Sequence, residues 1–245
     1  MADDALDVAS GAGERSAMIL SPQARALWDA ACALSPGSGA DVGANGTRVS
    51  PGLPPLWFLT DPERTPEPWR TAERLPAGAG VILRHFGRPE ARDTALRLRE
   101  ATTSAGVLFL IAADPELVET VGADGLHLPH GWLETPPAIP PGWRLSAACR
   151  SREALARAEA VGVEVVFVSP VFFPGGRSGA RPGMTPLGRE GLAALVRSTR
   201  LPVIALGGLD AARILTLRGS GARGAAAVEA VQAAFCDPGA GPKVR

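Results

Sequence analysis

Eight short runs of nearly unbroken apolar residues constrain this chain more than any other feature. They are Leu56–Thr60, Gly80–Arg84, Val107–Ala112, Gly125–Leu128, Arg144–Ala148, Val165–Ser169, Val203–Leu206 and Ala225–Val228. Strands with one wet face alternate apolar and polar residues, whereas continuous short runs mark strands covered on both faces, as in a parallel sheet wrapped by helices. Helical patterns fill several of the gaps. Pro89 to Ser104 places Ala91, Ala95, Leu98 and Ala101 on one stripe with Arg92, Arg97, Arg99 and Glu100 outward. Ser151 reads as the N-cap of a helix over Arg152–Val161 that Gly162 ends, and Thr185 to Thr199 and Asp210 to Arg218 read as two more, the last with Asp210 as its cap. The stretch between runs four and five carries Pro136, Pro137, Pro140 and Pro141, so that crossover is expected to be a loop.

Alternating strands and helices predict parallel α/β architecture. No GxGxxG follows the first run, where an open dinucleotide-binding sheet would carry it. The expected fold is therefore α/β, a closed (β/α)8 TIM barrel over residues 53–238 with a flexible N-terminal extension. Residues 1–52, rich in Ala, Gly, Ser and Asp, read as an arm and linker that is disordered or partly helical. Their one periodic segment, Pro22 to Leu34, sets Ala24, Leu27, Trp28 and Ala31 at helical spacing. Residues 239–245 read as a tail.

Composition narrows the partners. Twenty-five basic residues balance 25 acidic ones, and no basic run is interleaved with aromatics, so neither nucleic acid nor an anionic membrane is an expected partner. The longest apolar stretch, Val107 to Ala113, falls far short of the ~20 residues a membrane helix needs. Met-Ala-Asp-Asp-Ala-Leu lacks the apolar core of a secretory signal, and Cys32, Cys149 and Cys236 show no CxxC spacing. The expectation is a cytoplasmic protein with reduced thiols.

In a barrel, chemistry gathers at the C-terminal ends of the strands. There the segment Leu201-Pro-Val-Ile-Ala-Leu-Gly-Gly-Leu209 runs a buried strand into Gly207 and Gly208, and Gly221 to Glu229, which includes Gly224, leads the last strand into a helix. Loops after strands seven and eight commonly hold phosphate on backbone amides, although paired glycines also serve simply to make a tight turn.

Four blocks in order, Leu56-Trp-Phe-Leu-Thr-Asp61, Gly122-Ala-Asp-Gly-Leu-His-Leu128, Ser169-Pro-Val-Phe172 and Ala205-Leu-Gly-Gly-Leu209, resemble the thiamine phosphate synthase/TenI family across about residues 53–235. The resemblance implies a transferase of thiamine biosynthesis, joining a hydroxymethylpyrimidine pyrophosphate to a thiazole phosphate with magnesium assisting pyrophosphate departure, or a TenI-like role on the thiazole. It implies a small phosphorylated ligand and site residues Thr60, Asp61, Arg84, His127, Ser169, Arg177, Gly207, Gly208 and Gly224. Arg84 and His127 are the catalytic candidates. Arg84 is the survivor of a Gln-x-Arg-x-Lys run that here reads Ile82-Leu-Arg-His-Phe86; it contacts a ligand or pairs with Asp61. Arg177 stands in for the lysine of a phosphate-gripping loop, or belongs to an ordinary solvated one. His127 is an acid or base, or a hydrogen-bonded core residue.

The same comparison shows departures. The family's magnesium carboxylates are replaced by Ala113 and Trp132, leaving Asp114 as a weak metal candidate that equally suits a helix N-cap. TenI relatives carry a histidine after strand five, and this chain offers Cys149 in that neighbourhood; Glu229 replaces a small serine and opposes a phosphate unless it turns away. These losses keep a second function open, a non-catalytic phosphate-ligand-binding barrel (carrier, sensor or partner). A third is different chemistry using His127, His130, Asp61 or Cys149.

Overall fold

The computed structural model describes residues 19–35, 52–173 and 185–236. Eight parallel strands close into a barrel in sequence order: β1 (Leu56–Leu59), β2 (Gly80–Leu83), β3 (Leu108–Ala112), β4 (Gly125–Leu128), β5 (Arg144–Cys149), β6 (Val165–Val168), β7 (Val203–Leu206) and β8 (Gly224–Ala227), with β8 returning to pair with β1. The eight apolar runs are thus the eight strands, with ends displaced by at most one residue.

Two apolar layers follow from strand alternation. Side chains of one parity fill the barrel: Trp57, Leu59, Ile82, Leu110, Val165, Phe167, Ile204 and Ala226. The other parity, including Leu56, Phe58, Val81, Leu83, Phe109, Ile111, Leu126, Leu128, Val166 and Val168, packs outward against the helices. Trp57 fits inside because its partner across the β1–β2 ladder is Gly80, where any Cβ would collide with the indole ring. The indole edge packs on Phe167 with ring centroids 5.2 Å apart, and its Nε1 donates to Pro54 O at 2.9 Å. Burying the one polar atom of the ring with a partner avoids a desolvation penalty of ~1–3 kcal/mol.

Helices α1 (Pro22–Cys32), α2 (Pro68–Ala72), α3 (Ala91–Ala105), α4 (Pro115–Val121), α5 (Arg152–Val161), α6 (Gly188–Val196), α7 (Ala211–Thr216) and α8 (Glu229–Phe235) coat the barrel. The caps expected at Ser151 and Asp210 are present, each side chain accepting from a backbone N–H three residues on, and Gly162 ends α5 in the left-handed region. Sequence periodicity missed α2, which is five residues long and therefore too short to show a period. Between β4 and β5 the chain makes a 3-10 turn (His130–Leu133) and then runs as the proline-bearing loop that was expected.

The N-terminal helix is no detached arm. Ser21 caps α1, and Ala24, Leu27, Ala30 and Ala31 are buried against α7, α8 and the outer faces of β1 and β8. Ser35 Oγ then donates to Arg223 O at 2.6 Å, just before β8. The six-residue α7 is too short to cover its share of the wall, and α1 covers the remainder. Among the described residues no helix is long and apolar enough to cross a membrane.

Candidate functional site

The rim at the C-terminal ends of the strands is organised around the turn after β7. Three consecutive carbonyls there are all engaged from one side: Leu206 O accepts from Val171 N (2.9 Å), Gly207 O from Phe172 N (3.1 Å) and Gly208 O from Arg213 Nη1 (2.6 Å). In a trans peptide the N–H points opposite to the C=O. The amides of Gly207, Gly208 and Leu209 therefore face away from the loop after β6; that of Gly207 lies on the β8 side, where Leu206 is paired with Ala226, and those of Gly208 and Leu209 donate to no described residue. Successive free amides in a left-handed turn form an anion-binding concavity.

Glycine is demanded here for a reason other than ligand access. Gly207 and Gly208 have φ of +103° and +63°, and a Cβ would meet Pro170 Cα at 2.9 Å in the first case and the Phe173 carbonyl oxygen in the second. The loop after β6, which begins with the cis peptide Ser169–Pro170, occupies the space that side chains would need. Ser169 lies half-buried at the start of that loop.

Beyond β8 on the same rim, β1 and β2 contribute Thr60, Asp61 and Arg84. The buried Thr60 hydroxyl accepts from Arg84 N (3.0 Å) and its carbonyl from Arg84 Nε (2.8 Å). Arg84 Nη2 is buried without a hydrogen bond, with Asp61 Oδ2 3.8 Å away. Asp61 is committed elsewhere: Oδ2 binds Arg64 Nη2 at 2.7 Å, and Oδ1 accepts from the amides of Glu63 and Arg64. Burial pushes the Asp61 carboxyl up, but the hydrogen bond and charge of Arg64 overcome it and hold the group below the usual carboxylate range. Burial pulls Arg84 down to about 10, against the charge of Asp61 and with that of Arg64. The expected Arg84–Asp61 pairing is present as a loose ion pair at 3.8 Å without a hydrogen bond, and Arg84 Nη2 is left without an acceptor. These residues line a cleft of about 360 Å³, its open mouth included, with Leu83, His85, Arg88 and Thr94.

Phe86 does not continue β2 inward. The strand ends at Leu83, and Phe86 sits at φ +50°, 70% exposed, its ring 5.6 Å from the Arg84 guanidinium carbon. Glu229 does not plug the turn after β7. Its carboxylate lies 4.0 Å from Arg64 on the β1 side and is 45% exposed.

His127 projects into the barrel from β4. Its Nδ1 lies 2.9 Å from Ser146 Oγ, its ring packs edge-on against Phe167, and burial, aided by the nearby Arg84 charge, drives its pKa down to about 3. It is a neutral, hydrogen-bonded interior histidine. Cys149 belongs to the outer layer, fully buried, and burial raises its thiol to about 12, so it is no nucleophile.

The rim does not suit a divalent cation at the positions the resemblance implies. Ala113 and Trp132 bring no oxygen donor. Asp114 Oδ1 caps α4 by accepting from Leu117 N at 2.9 Å, and Oδ2 lies 3.2 Å from His85 Nε2, though not aligned as a hydrogen bond. Among the described residues no three His, Cys, Asp or Glu side chains converge as metal ligands. Of the two roles weighed for Asp114, the cap is the one it performs.

One expected site residue is misplaced. Gly224 opens β8 at the barrel's opposite end, where a Cβ would meet Pro55 O at 2.5 Å, so it serves strand packing and lies far from the rim. The error arose because a glycine close to the last strand was assigned to its exit when it stands at its entrance. Arg177 lies outside the described residues. Sequence reasoning missed Arg213, Arg64 and Ser146. The only signal for Arg213 was its place three residues after the Asp210 cap, which puts it in the first turn at the rim.

Comparison with known proteins gives a consistent picture. The family model described as thiamine monophosphate synthase matches residues 57–231. A thiamine-phosphate synthase of Methanoculleus marisnigri is 37% identical over 163 residues, covering 63% of this chain and 74% of that protein. One from Pyrococcus furiosus is 28% identical over 184 residues, covering 73% and 87% respectively. Among solved structures, a thiamine phosphate pyrophosphorylase from Pyrococcus furiosus superimposes with a TM-score of 0.58 at 25% identity, covering 75% of this chain and 92% of that one.

Proposed function

The chain belongs to the thiamine monophosphate synthase family, and from that premise we propose that its barrel takes a thiazole phosphate at the rim and serves thiamine biosynthesis as a divergent synthase-type transferase. The observation that carries the reading is the pair of unengaged amides at Gly208 and Leu209, facing away from the loop after β6. They offer a phosphate monoester two donors without bringing a side chain, and fixed amide dipoles bind an anion without reorganising.

In the transfer that this reading assigns, the thiazole nitrogen forms a bond to the pyrimidine methylene carbon as the carbon–oxygen bond to pyrophosphate breaks. Arg84 is the protein group suited to the departing anion, because its buried Nη2 still lacks an acceptor. His127 contributes shape to the barrel interior and no proton, since it stays neutral at physiological pH. A TenI-like role on the thiazole would need a histidine in the neighbourhood of the inert Cys149.

A second reading has a specific observation in its favour. Ala113 and Trp132 leave the family's metal positions without donors, and Asp114 is engaged as a helix cap. Without charge neutralisation a pyrophosphate leaves orders of magnitude more slowly, so a phosphate-binding barrel without turnover fits the same geometry.

One experiment separates the two. Purified protein is incubated with the pyrimidine pyrophosphate, thiazole phosphate and Mg²⁺, and thiamine phosphate is assayed while thiazole phosphate binding is followed by calorimetry. Product formation supports the transferase. Saturable binding without product supports the binding barrel, and neither product nor binding defeats both.

A further inference from the structure

We infer that Arg213 is a positioning residue for the phosphate seat, stapling the glycine turn after β7 to the loop after β6 so that the Gly208 and Leu209 amides stay aimed at the ligand. This rests on the proposed phosphate site and adds to it the side chain that holds its shape. Two of the three carbonyls that orient the turn, Leu206 O and Gly207 O, are fixed by backbone donors, Val171 N and Phe172 N. The third, Gly208 O, has no backbone donor, and Arg213 Nη1 supplies the missing hydrogen bond at 2.6 Å. That peptide is the one most in need of a tie. A glycine at φ +63° has no Cβ to bias its torsions, and among the described residues no other hydrogen bond ties the Gly208 carbonyl, whose orientation sets that of the Leu209 amide.

The staple is bipartite and built. The same Nη1 lies 3.4 Å from Phe173 O, and the guanidinium carbon stands 5.8 Å from the Phe172 ring centroid, so one side chain grips both loops. Its backbone is fixed in turn, because Asp210 Oδ1 accepts from Arg213 N at 2.8 Å and sets the first turn of α7. Asp210 is the acid nearest in sequence, and its carboxylate caps the backbone without pairing with the guanidinium. Among the described residues no carboxylate forms an ion pair with Arg213. A fixed cation behind a set of amides suits a phosphate monoester and gives nothing to the corresponding alcohol.

The test uses the full chain and two probes, thiazole phosphate and its dephosphorylated alcohol, titrated by calorimetry into the wild type, Arg213→Ala and Arg213→Lys. Arg213→Ala is expected to weaken the phosphate ester about tenfold and leave the alcohol unchanged, while Arg213→Lys, able to reach the same carbonyls, recovers to within about threefold. Amide hydrogen exchange without ligand is the second readout, with Val171 and Phe172 exchanging faster in Arg213→Ala because the loops part. Equal affinities in all three proteins, or an equal loss for ester and alcohol, would overturn the inference. If the wild type binds no phosphate ester, the proposed function fails on its own account, and unchanged exchange at Val171 and Phe172 would then dispose of the staple as well.

Discussion

His127 Nδ1 lies 2.9 Å from the Ser146 hydroxyl on the adjacent strand, inside a barrel layer closed by Phe167. This contact settles what the histidine does, because a ring that buried cannot carry charge.

Stability should therefore depend on pH through His127. The folded-state pKa is depressed to about 3 from 6.5, so above 6.5 the ring is neutral whether folded or not. As pH falls from 6.5 towards 3, the unfolded chain takes up a proton that the barrel refuses, and stability drops by up to ~1.4 kcal/mol per unit. His127→Gln should flatten that slope. Urea unfolding at about pH 7 and about pH 5 checks it, and parallel profiles for the two proteins would contradict the assignment.

Gly208→Val should damage both the fold and the site. The valine would need a left-handed backbone, which costs ~1–2 kcal/mol, and its Cβ would strike the Phe173 carbonyl, so a loss above ~2 kcal/mol is expected. Denaturant titration measures the loss, and calorimetry with thiazole phosphate should show binding abolished.

Ala113 is held at φ +57° at the top of β3, where alanine is strained. Ala113→Gly should raise stability by about 0.5–1 kcal/mol, since glycine adopts that region freely and the gain is partly offset by its looser unfolded chain. An unchanged or lower melting temperature would show that the strain is absorbed elsewhere.

Thiol chemistry provides a further check. Cys149 is fully buried with its thiol raised to about 12, whereas Cys32 and Cys236 are partly exposed. A thiol reagent such as Ellman's should label at most two of the three cysteines in the folded protein and all three after unfolding. Labelling of Cys149 in the native state would mean that the outer layer opens.

The fold was legible because its signals are local. Leu56–Leu59 or Val165–Val168 reads as a doubly covered strand from its own side chains, and Ser151 and Asp210 announce helices through bonds that span three residues. The site was legible in part. The glycines at 207 and 208 marked the turn, but their reason differed, since the space a side chain would need there is taken by the loop after β6. Gly224 was assigned to the wrong end because a glycine's identity says nothing about which end of a strand it occupies. Ser146 and the reach of Arg213 across to Phe173 were not legible, because each acts on a partner distant in the chain.

By itself, then, the sequence determined eight covered strands, the order of the barrel and the family blocks, all written in residues that are neighbours along the chain. Tertiary structure alone decided that His127 is neutral, that Asp114 is occupied by a helix cap, that Glu229 turns to Arg64, and that two free amides after β7 share one direction. Burial, charge and carbonyl orientation depend on which distant groups closure of the barrel brings together, and no local pattern encodes them.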